Sequence, residues 1–129
     1  MIKDLVTAAL RERMGSRLLL VEDEPALANL LKKYLERLGY KVDACTNANA
    51  ALALLDTHPE EYALLITDLS LPDMSGDELM TRARLRAPHL PAIIASGYPY
   101  EPRVAGVEFL QKPFLPNLLA EAVKRALKA

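Results

Sequence analysis

An α/β fold, a parallel sheet covered by helices on both faces, is predicted by three observations. Strand-like and helix-like segments alternate along the chain, the order that builds parallel sheets. The strand-like segments RLLLVED (17–23), YALLITD (62–68) and PAIIAS (91–96) are almost solidly apolar, as strands buried on both faces must be. The chain has 129 residues, of which 51% are apolar and 26% charged, which suits one domain with a buried core and a solvated surface.

The elements follow in order. Ile2, Leu5, Val6, Ala9, Leu10 and Met14 recur at helical steps, so residues 2–14 read as a short amphipathic helix ended by Gly15-Ser16. The first strand, 17–23, closes in acids. Pro25 suits the first turn of the next helix, whose apolar positions are Leu27, Leu30, Leu31, Tyr34, Leu35 and Leu38, with Gly39 as the stop. YKVDACT (40–46) alternates like a strand. Asn47 can cap a helix running to about Thr57, before His58-Pro59. After the 62–68 strand, Ser75 and Glu78 form a capping-box pattern for a helix that carries Leu79, Ala83 and Leu85 and stops before Pro88. Strands at 91–96 and 107–111 precede a last helix, 116–127, with Leu118, Leu119, Ala122, Val123, Ala126 and Leu127 as its inner face. The domain division expected is a helical extension over 1–15 and the α/β domain over 16–129.

Composition removes several function classes. A net charge of −1 gives no chain-wide basic field for nucleic acid or anionic membrane. The single cysteine, Cys45, excludes an internal disulfide and reads as a small core residue. No apolar run approaches about 18 residues, so no membrane span is expected, and a cytoplasmic location is the default. No second domain that could bind DNA is seen.

Ligands of an open parallel sheet bind outside the carboxyl ends of its strands. The residues there are Glu22, Asp23 and Glu24 after the first strand, Asp68 after the third, Ser96 after the fourth and Lys112 after the fifth. A lone strand-end aspartate would be ordinary turn chemistry. Carboxylates gathered on one rim repel unless a cation is present, and hard divalent cations such as magnesium take oxygen ligands. Acids, a lysine and a hydroxyl together suit magnesium-dependent phosphoryl chemistry.

These stretches resemble the receiver domain of two-component response regulators over residues 17–128. VEDEP resembles the acidic pair, Glu22 and Asp23. ITDLSLPDMSG resembles the phosphoacceptor strand and loop, with Asp68 as acceptor and Pro72 and Gly76 in place. IIASG puts Ser96 at the Thr/Ser switch position. FLQKPF puts Lys112 at the invariant lysine and Phe109 at the aromatic switch position. The resemblance implies a flavodoxin-like, doubly wound, five-stranded sheet in order 2-1-3-4-5. It implies that Asp68 accepts a phosphoryl group from phosphohistidine on a sensor histidine kinase or a histidine phosphotransfer protein. It further implies Mg2+ held by Asp23, Asp68 and the backbone carbonyl of Ser70, with Glu22 acting mostly through water, and a cis Lys112–Pro113 peptide. Ser70 and Tyr98 occupy the two positions that tune phosphoryl lifetime in the family. A bulky Tyr98 would obstruct the attacking water and slow self-dephosphorylation. On this reading the protein switches itself and is not an enzyme acting on other substrates.

Rival readings are weaker. A magnesium-dependent phosphatase with an aspartate nucleophile wants a second Asp at position 70, where Ser70 stands. A flavodoxin-type cofactor site would be repelled by Glu22-Asp23-Glu24. A degenerate receiver used only for docking is disfavoured because every core position holds a competent residue.

Two departures from the family pattern stand out. Only sixteen positions separate Ser96 from Lys112, and GYPYEPRVAG (97–106) carries two prolines, two glycines and no helical period. The fourth helix is therefore expected to be short or replaced by a loop. This is similar to receivers of hybrid sensor kinases, and to a subgroup with an ATGY-like phrase in which a loop stands in for that helix. Tyr98 and Tyr100 would then be loop anchors or partner contacts. The second departure is the N-terminal helix, whose apolar stripe needs a partner: the domain itself, a second copy in a dimer, or an upstream module. The downstream protein partner is not identifiable from the residues.

Overall fold

The computed structural model describes residues 15–128. In chain order they form β1 (Arg17–Val21), α1 (Pro25–Arg37), β2 (Lys41–Cys45), α2 (Ala48–Thr57), β3 (Tyr62–Asp68), α3 (Gly76–Arg86), β4 (Ala92–Ser96), β5 (Val107–Gln111) and α4 (Pro116–Lys128). The strands make one sheet in the order β2-β1-β3-β4-β5, every neighbouring pair parallel. This is the flavodoxin-like order expected. The helix expected over 2–14 lies outside the described residues.

The apolar runs are solid because each strand is buried on both sides. Side chains alternate across the sheet, so successive residues of one run feed two different cores. Leu19, Val21, Leu65 and Ile94 pack under α2 and α3 with Ala51, Leu55, Leu79 and Ala83. Leu18, Leu20, Leu64, Ile66 and Ile93 pack under α1 and α4 with Leu31, Leu35, Leu119 and Val123. Each fully buried leucine contributes about 2 kcal/mol, so both cores are needed.

The helix ends follow local chemistry. Pro25 opens α1, and Gly39 beyond its end takes φ 102°, the left-handed conformation that glycine tolerates. Asn47 caps α2 by accepting from the Ala50 N–H at 2.8 Å, and Ser75 caps α3 by accepting from the Glu78 N–H at 3.1 Å. The Glu78 carboxylate, expected to complete a capping box, pairs with Arg82 at 3.0 Å instead. Some stripe residues face outward: Leu30, Leu85 and Leu118 are exposed. Leu30 and Leu118 each sit about 100° around the helix from a buried neighbour, Leu31 and Leu119, and Leu85 lies about 160° from the buried Ala83.

No helix joins β4 to β5; residues 97–106 form a loop. The geometry of the crossover explains this. The connection must return along the length of a five-residue strand, about 17 Å. Ten residues wound as a helix would advance only about 15 Å, leaving no chain for the turns. As an open chain they have ample reach, and the slack is taken up by clasps to α3. The Tyr100 hydroxyl donates to Asp77 Oδ1, and its ring lies 6.1 Å from Phe109 at 58°. Arg84 donates to the carbonyls of Leu90 at 3.0 Å and Ala105 at 2.9 Å. Burial, then the bond to Asp77, pushes the Tyr100 hydroxyl up to about 12. Tyr100→Phe keeps the ring and deletes the clasp. A loss of about 1 kcal/mol in urea unfolding is expected, with faster amide exchange over 98–106.

Candidate functional site

β1, β3, β4 and β5 all end on the same rim of the sheet, which gathers their terminal residues from distant parts of the chain. Glu22, Asp68 and Ser96 are buried there, at 3%, 7% and 7% exposure, although each is polar. Asp23 is exposed beside them. Buried polar groups must be paired, and these are. Lys112 Nζ lies 2.5 Å from Asp68 Oδ1 and 2.8 Å from Glu22 Oε1. Glu22 Oε2 accepts the Glu24 N–H at 3.1 Å.

Strand alternation accounts for the grouping. Glu22, Asp68 and Lys112 continue the positions of Leu20, Ile66 and Leu110, which face α1 and α4. Ser96 continues that of Ile94, which faces α2 and α3. Its hydroxyl oxygen accepts the Tyr98 N–H at 3.0 Å, and its carbonyl accepts the Lys112 N–H at 2.8 Å. Phe109, half-buried, is level with Ile94 in the β4–β5 register, with its ring tilted against that of Tyr100. Tyr98 points outward at 79% exposure. Tyr100 is thus the anchor of its loop and Tyr98 is not.

The electrostatics follow from two carboxylates sharing one ammonium. Burial raises Asp68, and the neighbouring Glu22 raises it further, to about 7 against the opposing pull of Lys112. Burial also works to raise Glu22, but hydrogen bonds with Asp68, Lys112 and the Glu24 N–H outweigh it and hold Glu22 down at about 2. For Lys112, desolvation is outweighed by its bonds to Asp68 and Glu22, so its ammonium is raised.

Asp23, Asp68, Ser70, Ser96, Tyr98 and Lys112 line a cleft of about 210 Å³ at the rim. This is smaller than a typical drug-sized site and large enough for a phosphoryl group. Larger hollows, of about 410 and 470 Å³, lie around Arg17 and Tyr62 near the opposite edge. There Arg17 and Tyr62 are already bonded to Asp43, at 3.1 and 2.6 Å. At the rim, one carboxylate oxygen from each of Glu22, Asp23 and Asp68 falls within 4.8 Å of the others. An all-oxygen donor set of this kind fits magnesium.

The loop after Asp68 is shaped by contacts that local sequence did not reveal. Gly76 N–H donates to Leu69 O at 2.6 Å, and Ser70 bridges to Ser75. Gly76 has no substitute here, because a Cβ would collide with the Asp68 carbonyl oxygen. Asp73, at the tip of LPDMSG, accepts from the Ala48 N–H at 3.0 Å and the Asn49 N–H at 2.8 Å. A polar residue at the tip of a tight Pro/Gly loop was the one available signal. Asp77 and Arg84, which hold the β4–β5 loop, gave none.

Residues 18–124 match the family model described as the response regulator receiver domain. The response regulator protein FleR of Pseudomonas aeruginosa is 34% identical over 118 residues, covering 87% of this chain and 24% of FleR. The response regulator RppA of Synechocystis is 40% identical over 112 residues, covering 81% of this chain and 47% of RppA. The chain thus spans about a quarter to a half of these curated relatives. Among solved structures, the receiver domain of the hybrid histidine kinase CckA is 34% identical with a TM-score of 0.80, covering 87% of this chain and 99% of that one. A CheY-like receiver from Methanospirillum hungatei is 32% identical with a TM-score of 0.81, covering 88% and 94%.

Proposed function

The chain belongs to the response regulator receiver domain family, and from that premise we propose that Asp68 is its phosphoacceptor, with residues 16–129 as the receiver unit. One observation carries the reading: Asp68 is a buried carboxylate 2.5 Å from a lysine ammonium, on a rim shared with two further acids. A buried aspartate serving only as a turn starter would not need that company.

An oxygen of Asp68 attacks the phosphorus of a phosphohistidine on a histidine kinase or phosphotransfer protein. The P–O bond forms as the P–N bond breaks, and the imidazole leaves with a proton. Glu22, Asp23, Asp68 and the Ser70 carbonyl would hold magnesium, which supplies positive charge to the phosphoryl oxygens when bound. Lys112, now paired with Asp68, keeps a cation beside the same oxygen after transfer, and pairs with the new phosphoryl charge. Ser96 exchanges its bond from the Tyr98 N–H for one from its own hydroxyl to a phosphoryl oxygen. Phe109, level with Ile94 behind Ser96, is the aromatic that responds, and it carries Tyr100 with it. Tyr98, at the mouth of the cleft, hinders attacking water. The chain acts on its own aspartate and on no separate substrate. Among the described residues no helix is long and apolar enough to cross a membrane. The downstream partner belongs to whatever protein this receiver controls.

Incubation with acetyl phosphate and magnesium, read by intact mass, tests this. Wild type is expected to gain one phosphoryl group, and Asp68→Asn or the omission of magnesium to abolish the gain. Equal labelling of Asp68→Asn would refute the assignment.

A further inference from the structure

The loop from Leu69 to Ser75 forms one wall of the cleft, and it is fastened at two points. Its neck is closed by the Gly76–Leu69 and Ser70–Ser75 contacts. Its tip is fastened by Asp73, which reaches a different part of the fold. The two oxygens of Asp73 take the N–H groups of Ala48 and Asn49, the first two residues of α2. The third N–H of that turn, from Ala50, goes to Asn47. The donors that every helix leaves free at its start are therefore met here by one local cap and one carboxylate from about 25 residues away. A carboxylate accepting two N–H groups at a helix N-terminus makes charge-assisted bonds in a favourable field, so the clasp is firm. Ser70 is the last residue of the neck before the loop runs out to its tip, and it lines the cleft beside Asp23 and Asp68. With both points fastened, the peptide after Ser70 is held from each side; with the tip released, only the neck side restrains its carbonyl.

We propose that Asp73 is a positioning residue: by clamping the loop tip to the start of α2 it orients the Ser70 carbonyl toward the cation and sets the site's affinity for magnesium. This rests on the reading of the rim as a magnesium-dependent phosphoacceptor site. Asp73 touches neither the cation nor the phosphoryl group and acts only through the loop.

The test is a magnesium titration of the metal-free protein, followed by amide NMR shifts of residues 69–75, which requires no phosphoryl transfer. Asp73→Ala is expected to raise the dissociation constant about tenfold, the usual scale for groups that orient metal ligands. Asp73→Asn, which keeps one acceptor oxygen, should recover part of that loss. Asn47→Ala weakens the same helix start without touching the loop, and should leave the constant within about twofold of wild type. Wild-type affinity in Asp73→Ala, or an equal loss in Asn47→Ala, overturns the proposal. If wild type binds magnesium but acetyl phosphate does not label it, the phosphoacceptor reading fails while the affinities still decide the role of Asp73. If wild type binds no magnesium, both fall.

Discussion

Lys112→Met is expected to destabilise the protein by about 2–4 kcal/mol near pH 8, because it leaves two buried carboxylates without their cation. Methionine keeps the length and apolar stem of the side chain, so the loss reports the charge. The pH dependence has a definite sign. With the ammonium gone, burial and the neighbouring Glu22 raise Asp68 still further above its ordinary 3.8, so the folded variant holds a proton on the pair to higher pH. A folded state that holds extra protons gains stability as pH falls, so the deficit should shrink between about pH 8 and pH 5. Urea melts at the two pH values measure it. The double variant Lys112→Met/Asp68→Asn should recover much of the loss, since one carboxylate alone can take a proton or find solvent. Additive losses in that cycle would show that the three groups do not act together.

Asp68→Asn should have the opposite effect and raise stability at neutral pH. In the metal-free protein Asp68 titrates at about 7 rather than its ordinary 3.8, so folding discourages its ionised form. That displacement sets a ceiling of about 4 kcal/mol at high pH. The pull of Lys112 is already contained in that ceiling; relaxation and water at the rim reduce it further, so about 1–3 kcal/mol is the expected gain from removing the charge. The sign again fixes the window. A carboxyl raised in the folded state costs stability as pH climbs from about 4 to about 7, so the advantage of Asp68→Asn should be small near pH 4 and full by about pH 8. Glu22 is shifted the other way in wild type and loses its contribution only as pH falls below 4.5, outside most of that window. Magnesium should reduce the gap by stabilising wild type selectively. A variant less stable than wild type at every pH would mean that the carboxylate is a net support of the fold.

The parts of this molecule written in consecutive residues were legible before the structure. Solid apolar strands, the caps Asn47 and Ser75, and the short helix-poor stretch between Ser96 and Lys112 each have a local signature, and each appears as expected. The rim followed too, because strand ends in a parallel sheet converge whatever lies between them. What escaped was chemistry between residues far apart in the chain. The Asp73 bonds to α2, the Tyr100 bond to Asp77 and the Arg84 bond to Ala105 span about 20–25 positions each, and no periodicity encodes them. Glu78 shows the complementary error: a local motif promised one partner, and Arg82, equally near on the helix, took it.

The alternation of side chains across the sheet carries one more consequence. Glu22, Asp68 and Lys112 continue the face under α1 and α4, whereas Ser96, Phe109 and the Tyr100 loop belong with α2 and α3. On the proposed reading, the acceptor and the residues that answer it hang from opposite faces of one sheet, so a change at Asp68 reaches Phe109 around the rim, by way of Ser96, and not through either core.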